Sequence, residues 1–498
     1  YEIRLSLVGS EMCIRDRITS DLLQRIQTVL DNGVATTYSY NTNRSSSLEY
    51  RTTRVMDSKS RLSSINVDAT GKTLVNTDKN GQTVTHTYYS HGGIKASASS
   101  TAANQSISFG YDPVTARQTS MNDPSLGIIN YDYNDFGELC YQKEPNNLTW
   151  ITYNIAGQVT SKSTSEGKYT YEYNNSLNAG SLGQIKRLTA PNGNYTEYAY
   201  DNLGRVTSKG EKIDTKIFTF GYTYDANSRL QTTIYPNGFN TNIHYDASKG
   251  YLASVKYNND ANFIWRVGTE NELGMPTNYT LGETASGKTS INIDKSYDAL
   301  FKPFVSHAYL GLSTSPDSKF KYEYGFNAST GNLTYRKDYI HNLIERFEYD
   351  ANYDRLTAMN QNGFVGNTET AISSFSVSYL DNGNINSKTN LGTYQYNTTK
   401  PNTLMAVNGL ATGTINQPLY FTNEDQNVSY NCFNKVSSIW DNLYRYDFTY
   451  GADNERRTMK YYTKVSGNFV LQKTHYYVGE YEEVVSAGAI PIIEQRVY

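Results

Sequence analysis

The chain has 498 residues, of which 46 are Tyr, 17 Phe and 3 Trp, yet its hydrophobic set reaches only 38%, lean beside the ~45–50% apolar usage (Gly included) of ordinary domains. Mean hydropathy is −0.62 and no stretch approaches ~18 consecutive apolar residues, which excludes a membrane-spanning helix. A net charge of −3 with 13% aromatics argues against disorder and leaves no basic stripe for nucleic acid or an anionic membrane surface.

In chain order, residues 1–17 differ from the rest in composition. They have no n-region, apolar h-region or small-residue cleavage site, so they are not a signal peptide. They are similar to a translated sequencing-adapter artefact and are expected to be foreign to the fold, Cys13 included. Cys140 and Cys432 stand far apart without CxxC spacing, so neither a disulfide framework nor a zinc site is expected.

From residue 18 to residue 498 one unit recurs, and internal repeats decide a fold before any single element does. Its clearest copy is Tyr200-Asp201-Asn202-Leu203-Gly204-Arg205. Close relatives begin at Tyr133 (with Gly137), Tyr153 (with Gly157), Tyr224 (with Asp225 and Arg229), Tyr379 and Tyr430. Looser copies begin at Tyr89, Tyr111, Tyr245 (with Asp246), Phe326, Tyr349 (with Asp350 and Arg355) and Tyr450, and a trace lies at Leu23–Ile26. Neighbouring copies are mostly roughly 20–30 residues apart, the spacing of repeat architectures.

Each copy reads as strand, turn, strand. Aromatics alternate ahead of the turn, as at Phe218, Phe220, Tyr222 and Tyr224, a period-2 strand signal. Asp at the first turn position can accept backbone N–H groups ahead of it, and Gly at the fourth supplies a left-handed exit. The opposite ends of the hairpins carry Asn-Gly turns at Asp31-Asn32-Gly33, Lys79-Asn80-Gly81, Pro191-Asn192-Gly193 and Pro236-Asn237-Gly238, read as tight hairpin turns. The predicted fold is all-β: a strip of antiparallel hairpins, each burying its face on its neighbours. With so few aliphatics the strip is expected to be one sheet deep, its Tyr positions forming ladders and its Asp and Arg positions pairing or stacking on rings.

Tyr-Asp-x-x-Gly-Arg units at this spacing, with Asn-Gly turns between them, resemble the YD repeats of the rearrangement hotspot (Rhs) family: bacterial polymorphic toxins, the B and C components of insecticidal toxin complexes, wall-associated proteins and teneurins. The run from Thr474 to Glu483 is similar to the stretch upstream of the core in bacterial members. The resemblance implies a strip spiralling into a hollow shell that encloses a C-terminal toxin, released by an aspartyl autoprotease. This chain is expected to be a fragment that stops before that core, so no protease aspartate is carried over.

Other motifs read as structure. Gly282-Glu283-Thr284-Ala285-Ser286-Gly287-Lys288-Thr289 fits the P-loop pattern, but strand-like alternation surrounds it where a helix must begin, so it reads as a hairpin loop. The six histidines are dispersed, and His86 and His91, the one close pair, lack a carboxylate cluster. The Asp-rich turn Asp350–Asp354 lacks a full calcium-loop pattern. The Asn-x-Ser/Thr sequons at Asn147, Asn194, Asn278 and Asn332 are expected by chance in so Asn- and Thr-rich a chain.

The expectation is therefore a non-enzymatic wall segment of a toxin-carrying shell, without metal or cofactor, exported to the medium or the bacterial cell surface. Its partners would be the effector in cis, secretion-system or toxin-complex components and, under the alternative reading as a cell-surface adhesion module, glycans bound on exposed Tyr ladders.

Overall fold

The computed structural model describes residues 2–3, 17–31, 34–45, 48–101, 106–175, 180–257, 262–282, 290–312, 315–389, 391–398, 400–408 and 427–498. The described residues form strands joined by short turns, with no helix among them. The chain divides into two compact units, Tyr1–Ile128 with Asn292–Asn416, and Ile129–Ile291 with Gln417–Tyr498.

Strands pair antiparallel with their neighbours in sequence, and the hairpin around the clearest repeat copy shows how. Tyr195–Tyr200 pairs with Val206–Ile213, which pairs in turn with Lys216–Tyr224. The register slips by one residue at Tyr200, as it does at Tyr153, Tyr224, Tyr245 and Tyr349. The slip lies just outside the turn, where Ala199 faces Ser208 and Tyr200 faces Val206, leaving Thr207 as the extra residue; within the turn Gly204 N–H bonds the Asp201 carbonyl, Asp201 N–H bonds the Arg205 carbonyl, and Gly204 has φ +77°. One extra residue on the returning strand is a bulge.

The Asn-Gly ends differ from expectation. At 190–194 and 235–239 the same bond pattern recurs, with Gly193 and Gly238 donating to the Ala190 and Tyr235 carbonyls. Only the glycine of each has positive φ, so these share the hydrogen bonds of the repeat turns rather than being two-residue turns, but the ladders beside them keep their register. Positive φ at both central positions occurs instead at Ser466-Gly467, between Val465 and its partner Asn468. Of Asp31-Asn32-Gly33, the last two lie outside the described residues.

The copy at 88–93 is also shifted by one. Tyr89, read above as the repeat tyrosine, occupies the Asp position, its N–H bonding the Gly93 carbonyl and its carbonyl accepting Gly92 N–H. Tyr88 sits at the bulge.

The unit containing Ile129–Ile291 and Gln417–Tyr498 is more than one sheet deep. Ile213, Phe218, Phe220 and Tyr235 pack against Tyr476, Val478 and Tyr481, with Val478 and Tyr481 0% and 1% exposed. The scarce apolar residues are concentrated here rather than spread along the strip. Each fully buried side chain of this size contributes roughly 1.5–3 kcal/mol, so a few suffice to dock one run of hairpins on another. In the other unit, Ile293, Ala308, Tyr309, Ile344, Phe364 and Val377 are the buried apolar positions. Of residues 1–17, Glu2 and Ile3 pair antiparallel with Thr19 and Ile18, and Arg17 opens the strand Arg17–Ser20, opposite Leu30.

Candidate functional site

The recurring feature is the junction between one repeat turn and the next hairpin. Asp201 takes the N–H groups of Leu203 and Arg205 on Oδ1 at 2.9 and 3.0 Å, and the Arg205 Nε–H on Oδ2 at 2.7 Å. The backbone N–H of Arg205 and then its guanidinium hold the Asp201 carboxyl below the ordinary carboxylate range. The pinned guanidinium lies 4.6 Å from the centre of the Tyr224 ring in the next hairpin and donates to Ser228 Oγ at 3.1 Å in the next turn. The Tyr224 hydroxyl donates back to the Val206 carbonyl at 2.8 Å.

The pattern repeats along the strip. Asp225 binds Arg229 in the same way, Arg229 lies 4.1 Å from the Tyr245 ring, and Tyr245 donates to the Leu230 carbonyl. Asp246, in a longer turn, takes the N–H groups of Ser248 and Lys249. Burial alone would raise Asp350, but the Arg355 guanidinium overrides it and holds the carboxyl low; Arg355 then covers the Tyr379 ring at 4.5 Å. Tyr153, Tyr200 and Tyr349 donate to the carbonyls of Leu139, Ile185 and Leu333, and burial raises all three phenols. At the copy beginning with Tyr133, Gly137 donates to the Asn134 carbonyl; Gly157 does the same to Asn154.

Two substitutions within the repeat have roles that the motif alone did not assign. Gln158 and Gln184 stand in the Arg position and donate to the carbonyls of Gly183 and Gly204 in the following turns. Ser60, Ser228, Asn434 and Asn454 fill the glycine position with φ of 58–63°. Tyr173 and Tyr396 also donate to preceding carbonyls, those of Val159 and Ile385; spacing from the next turn would have found them.

Charged seams supplement the junctions. Glu211 is 0% exposed, with Lys209 on one oxygen and Arg457 Nε 2.8 Å from the other, neither contact having hydrogen-bond geometry. Arg457 also donates to Asp453 at 2.6 Å, and Lys216 pairs with Glu483. In the other unit Arg61 bridges Asp57 and Asp354 at 2.8 and 2.7 Å, Lys59 joins Asp354, and Tyr353 donates to Asp78 at 2.8 Å. The Asp-rich turn 350–354 thus has its carboxylates engaged by cations of the chain itself.

Among the described residues no group of three or more His, Cys, Asp or Glu side chains is arranged to hold a metal. His86 contacts Asn76 and Ser97, whereas His91 stacks on Tyr89. Residues 283–289 of the P-loop-like motif lie outside the described residues; the strand Ile291–Tyr297 follows where a phosphate-binding helix would run. Among the described residues no helix is long and apolar enough to cross a membrane.

A family model described as RHS Repeat matches residues 181–210. No curated protein sequence matches the chain. The crystal structure of TcdB2-TccC3 is similar with a TM-score of 0.72 at 14% identity, covering 97% of this chain and 28% of that one. TcdB2-TccC3 without its hypervariable C-terminal region is matched at 0.72 and 14%, covering 95% and 27%. The Photorhabdus luminescens Tc holotoxin pore, carrying a TccC3 mutation, is matched at 0.71 and 15%, covering 95% and 27%. The likeness is one of fold, and the chain spans little more than a quarter of the length of these relatives.

Proposed function

We propose that this RHS-repeat chain is a stretch of structural wall in a β-shell that encloses and carries a C-terminal effector, with no catalysis of its own. The observation that carries the reading is the turn-to-hairpin junction, in which Asp, Arg and Tyr are spent on holding one hairpin to the next. Similarity of fold to the TcdB2-TccC3 structures along 97% of the chain supports it, and so does the match to the structure without the hypervariable C-terminal region. Its partners would be that effector in cis and other toxin-complex components, acting after export.

The adhesion reading, with Tyr ladders offering free faces to sugars, has less behind it. The rings of Tyr224, Tyr245 and Tyr379 each carry an Arg guanidinium on one face.

Limited proteolysis of the full-length gene product tests the wall reading. The region downstream of the repeats should resist cleavage while the repeats are folded and be cut once they are denatured. Cleavage of that region at the rate of its isolated form would refute enclosure.

A further inference from the structure

We propose that the free edge of the strand Thr368–Tyr379 is an interface that pairs antiparallel with the same edge of a second copy of this chain. One side of this strand is fully used: it pairs with Leu356–Val365 from Ala358 opposite Ser376 out to Val365 opposite Thr368. On the other side pairing is short, reaching only Val377 opposite Lys388, Ser378 opposite Ser387 and Tyr379 opposite Ile385. It ends at Ser376, whose N–H bonds Thr389 Oγ1 and whose carbonyl accepts Thr389 N–H, both at 2.9 Å. Beyond that point, Thr368–Phe375 has no strand on this side among the described residues.

An unpaired edge exposes backbone donors and acceptors that template another strand unless charge, proline or a bulge blunts it. The sequence Thr368-Glu369-Thr370-Ala371-Ile372-Ser373-Ser374-Phe375 has no Lys, Arg or Pro. Its one charge, Glu369, is already engaged by Arg346 and by Asn362. Residues 368–374 are exposed on both faces, with Ile372 at 58%. The single bulge, with Ile372 the extra residue between Gln361 opposite Ser373 and Asn362 opposite Ala371, blunts the edge at its middle and leaves Thr368–Ala371 and Ser373–Phe375 as the segments able to pair.

The edge is compatible with itself. A two-fold axis between Ala371 and Ile372 places Glu369 opposite Ser374 and Thr370 opposite Ser373, so no like charges meet. An isologous contact of this kind closes as a dimer, and hydroxyl pairs such as Thr–Ser favour cross-strand neighbours.

Sedimentation and light scattering of the whole chain over a concentration series test the proposal. The wild-type chain should dimerise reversibly. Thr370→Lys with Ser373→Lys sets Lys against Lys across the axis and should weaken association by about tenfold or more. Thr370→Lys with Ser373→Glu sets Lys against Glu and should restore it. All three should give the same circular dichroism and melting temperature, since both positions are exposed. A wild-type chain that stays monomeric, a Lys/Lys variant that dimerises as well as wild type, or a Lys/Glu variant as weak as Lys/Lys would each overturn the proposal. So would a dimer that instead forms only with an added extended peptide.

Discussion

Arg205 carries its guanidinium 4.6 Å from the centre of the Tyr224 ring, one hairpin further on, while its Nε–H stays bonded to Asp201 at 2.7 Å. The carboxylate sets the plane of the guanidinium, and the plane meets the ring. Arg205→Ala should therefore destabilise the chain by about 1–2 kcal/mol, with about 0.5–1 kcal/mol of that shared with Tyr224 in a double-mutant cycle. Denaturant unfolding of the two single variants and the double variant measures the coupling. Strict additivity would mean that ring and cation are merely neighbours.

Tyr224→Phe keeps the ring under Arg205 and removes only the hydroxyl bonded to the Val206 carbonyl. A loss of about 1 kcal/mol is expected. The exposed repeat tyrosine Tyr430 is the control, and Tyr430→Phe should stay within about 0.5 kcal/mol of wild type. Equal losses at the two positions would contradict a specific role for the ladder hydroxyl.

Two glycines with the same backbone should respond differently to alanine. Gly204 and Gly238 have φ of +77° and +82°, a conformation that costs a residue with a Cβ roughly 1–2 kcal/mol. At Gly238 a Cβ meets nothing within 4 Å, whereas at Gly204 it would lie 2.6 Å from the Gly180 carbonyl oxygen. Gly238→Ala should thus cost about the backbone term alone, and Gly204→Ala distinctly more. Melting temperatures that fall equally would refute the close approach of the two turns.

Arg457 is the sole cation that touches both Glu211 and Asp453 among the ion pairs of the described residues. Arg457→Ala leaves the fully buried Glu211 with Lys209 alone, and breaking a buried pair on one side costs about 3–5 kcal/mol. Urea unfolding followed by Tyr fluorescence should show the loss; a shift below about 1 kcal/mol would mean that water reaches Glu211.

Stability should fall at both extremes of pH. The folded carboxyls of Asp201, Asp225 and Asp350 lie below their ordinary values. Their contribution is complete above the unfolded pKa of about 3.9 and is lost as pH drops through the lower folded value, so the melting temperature should decline below about pH 4. Asp201→Asn with Asp225→Asn should flatten that decline. At the alkaline end burial pushes Tyr222 up to about 12, and the bond to Glu323 does the same for Tyr339. Their contribution holds below the unfolded value of about 10 and fades as pH rises towards 12. Near-ultraviolet titration should show a late phenolate step coinciding with loss of circular dichroism; a single step at the ordinary value would contradict buried rings.

What the sequence made legible is what repeats. Asp201, Gly204, Arg205 and Tyr224 stand out because the same local geometry recurs, and local geometry is written in neighbouring residues. The slip between Tyr88 and Tyr89 arose because two adjacent tyrosines both fit a loose copy, and only the bulge decides between them. The contacts of Gln158 and Gln184 were not legible because an amide can reach the next turn's carbonyl without resembling Arg. The packing of Ile213 on Val478 and the pairing of Glu211 with Arg457 left no local trace. They join segments far apart in sequence rather than residues of any one hairpin.

The links Gln158 to Gly183, Gln184 to Gly204, Arg205 to Ser228 and Arg229 to Gly250 all run from one turn to the turn that follows. In each of these four the donor is an amide or guanidinium in the Arg position, and the acceptor belongs to the left-handed residue that closes the next turn. One unit thus carries both halves of its joints, the donor that it sends forward and the acceptor that it offers back.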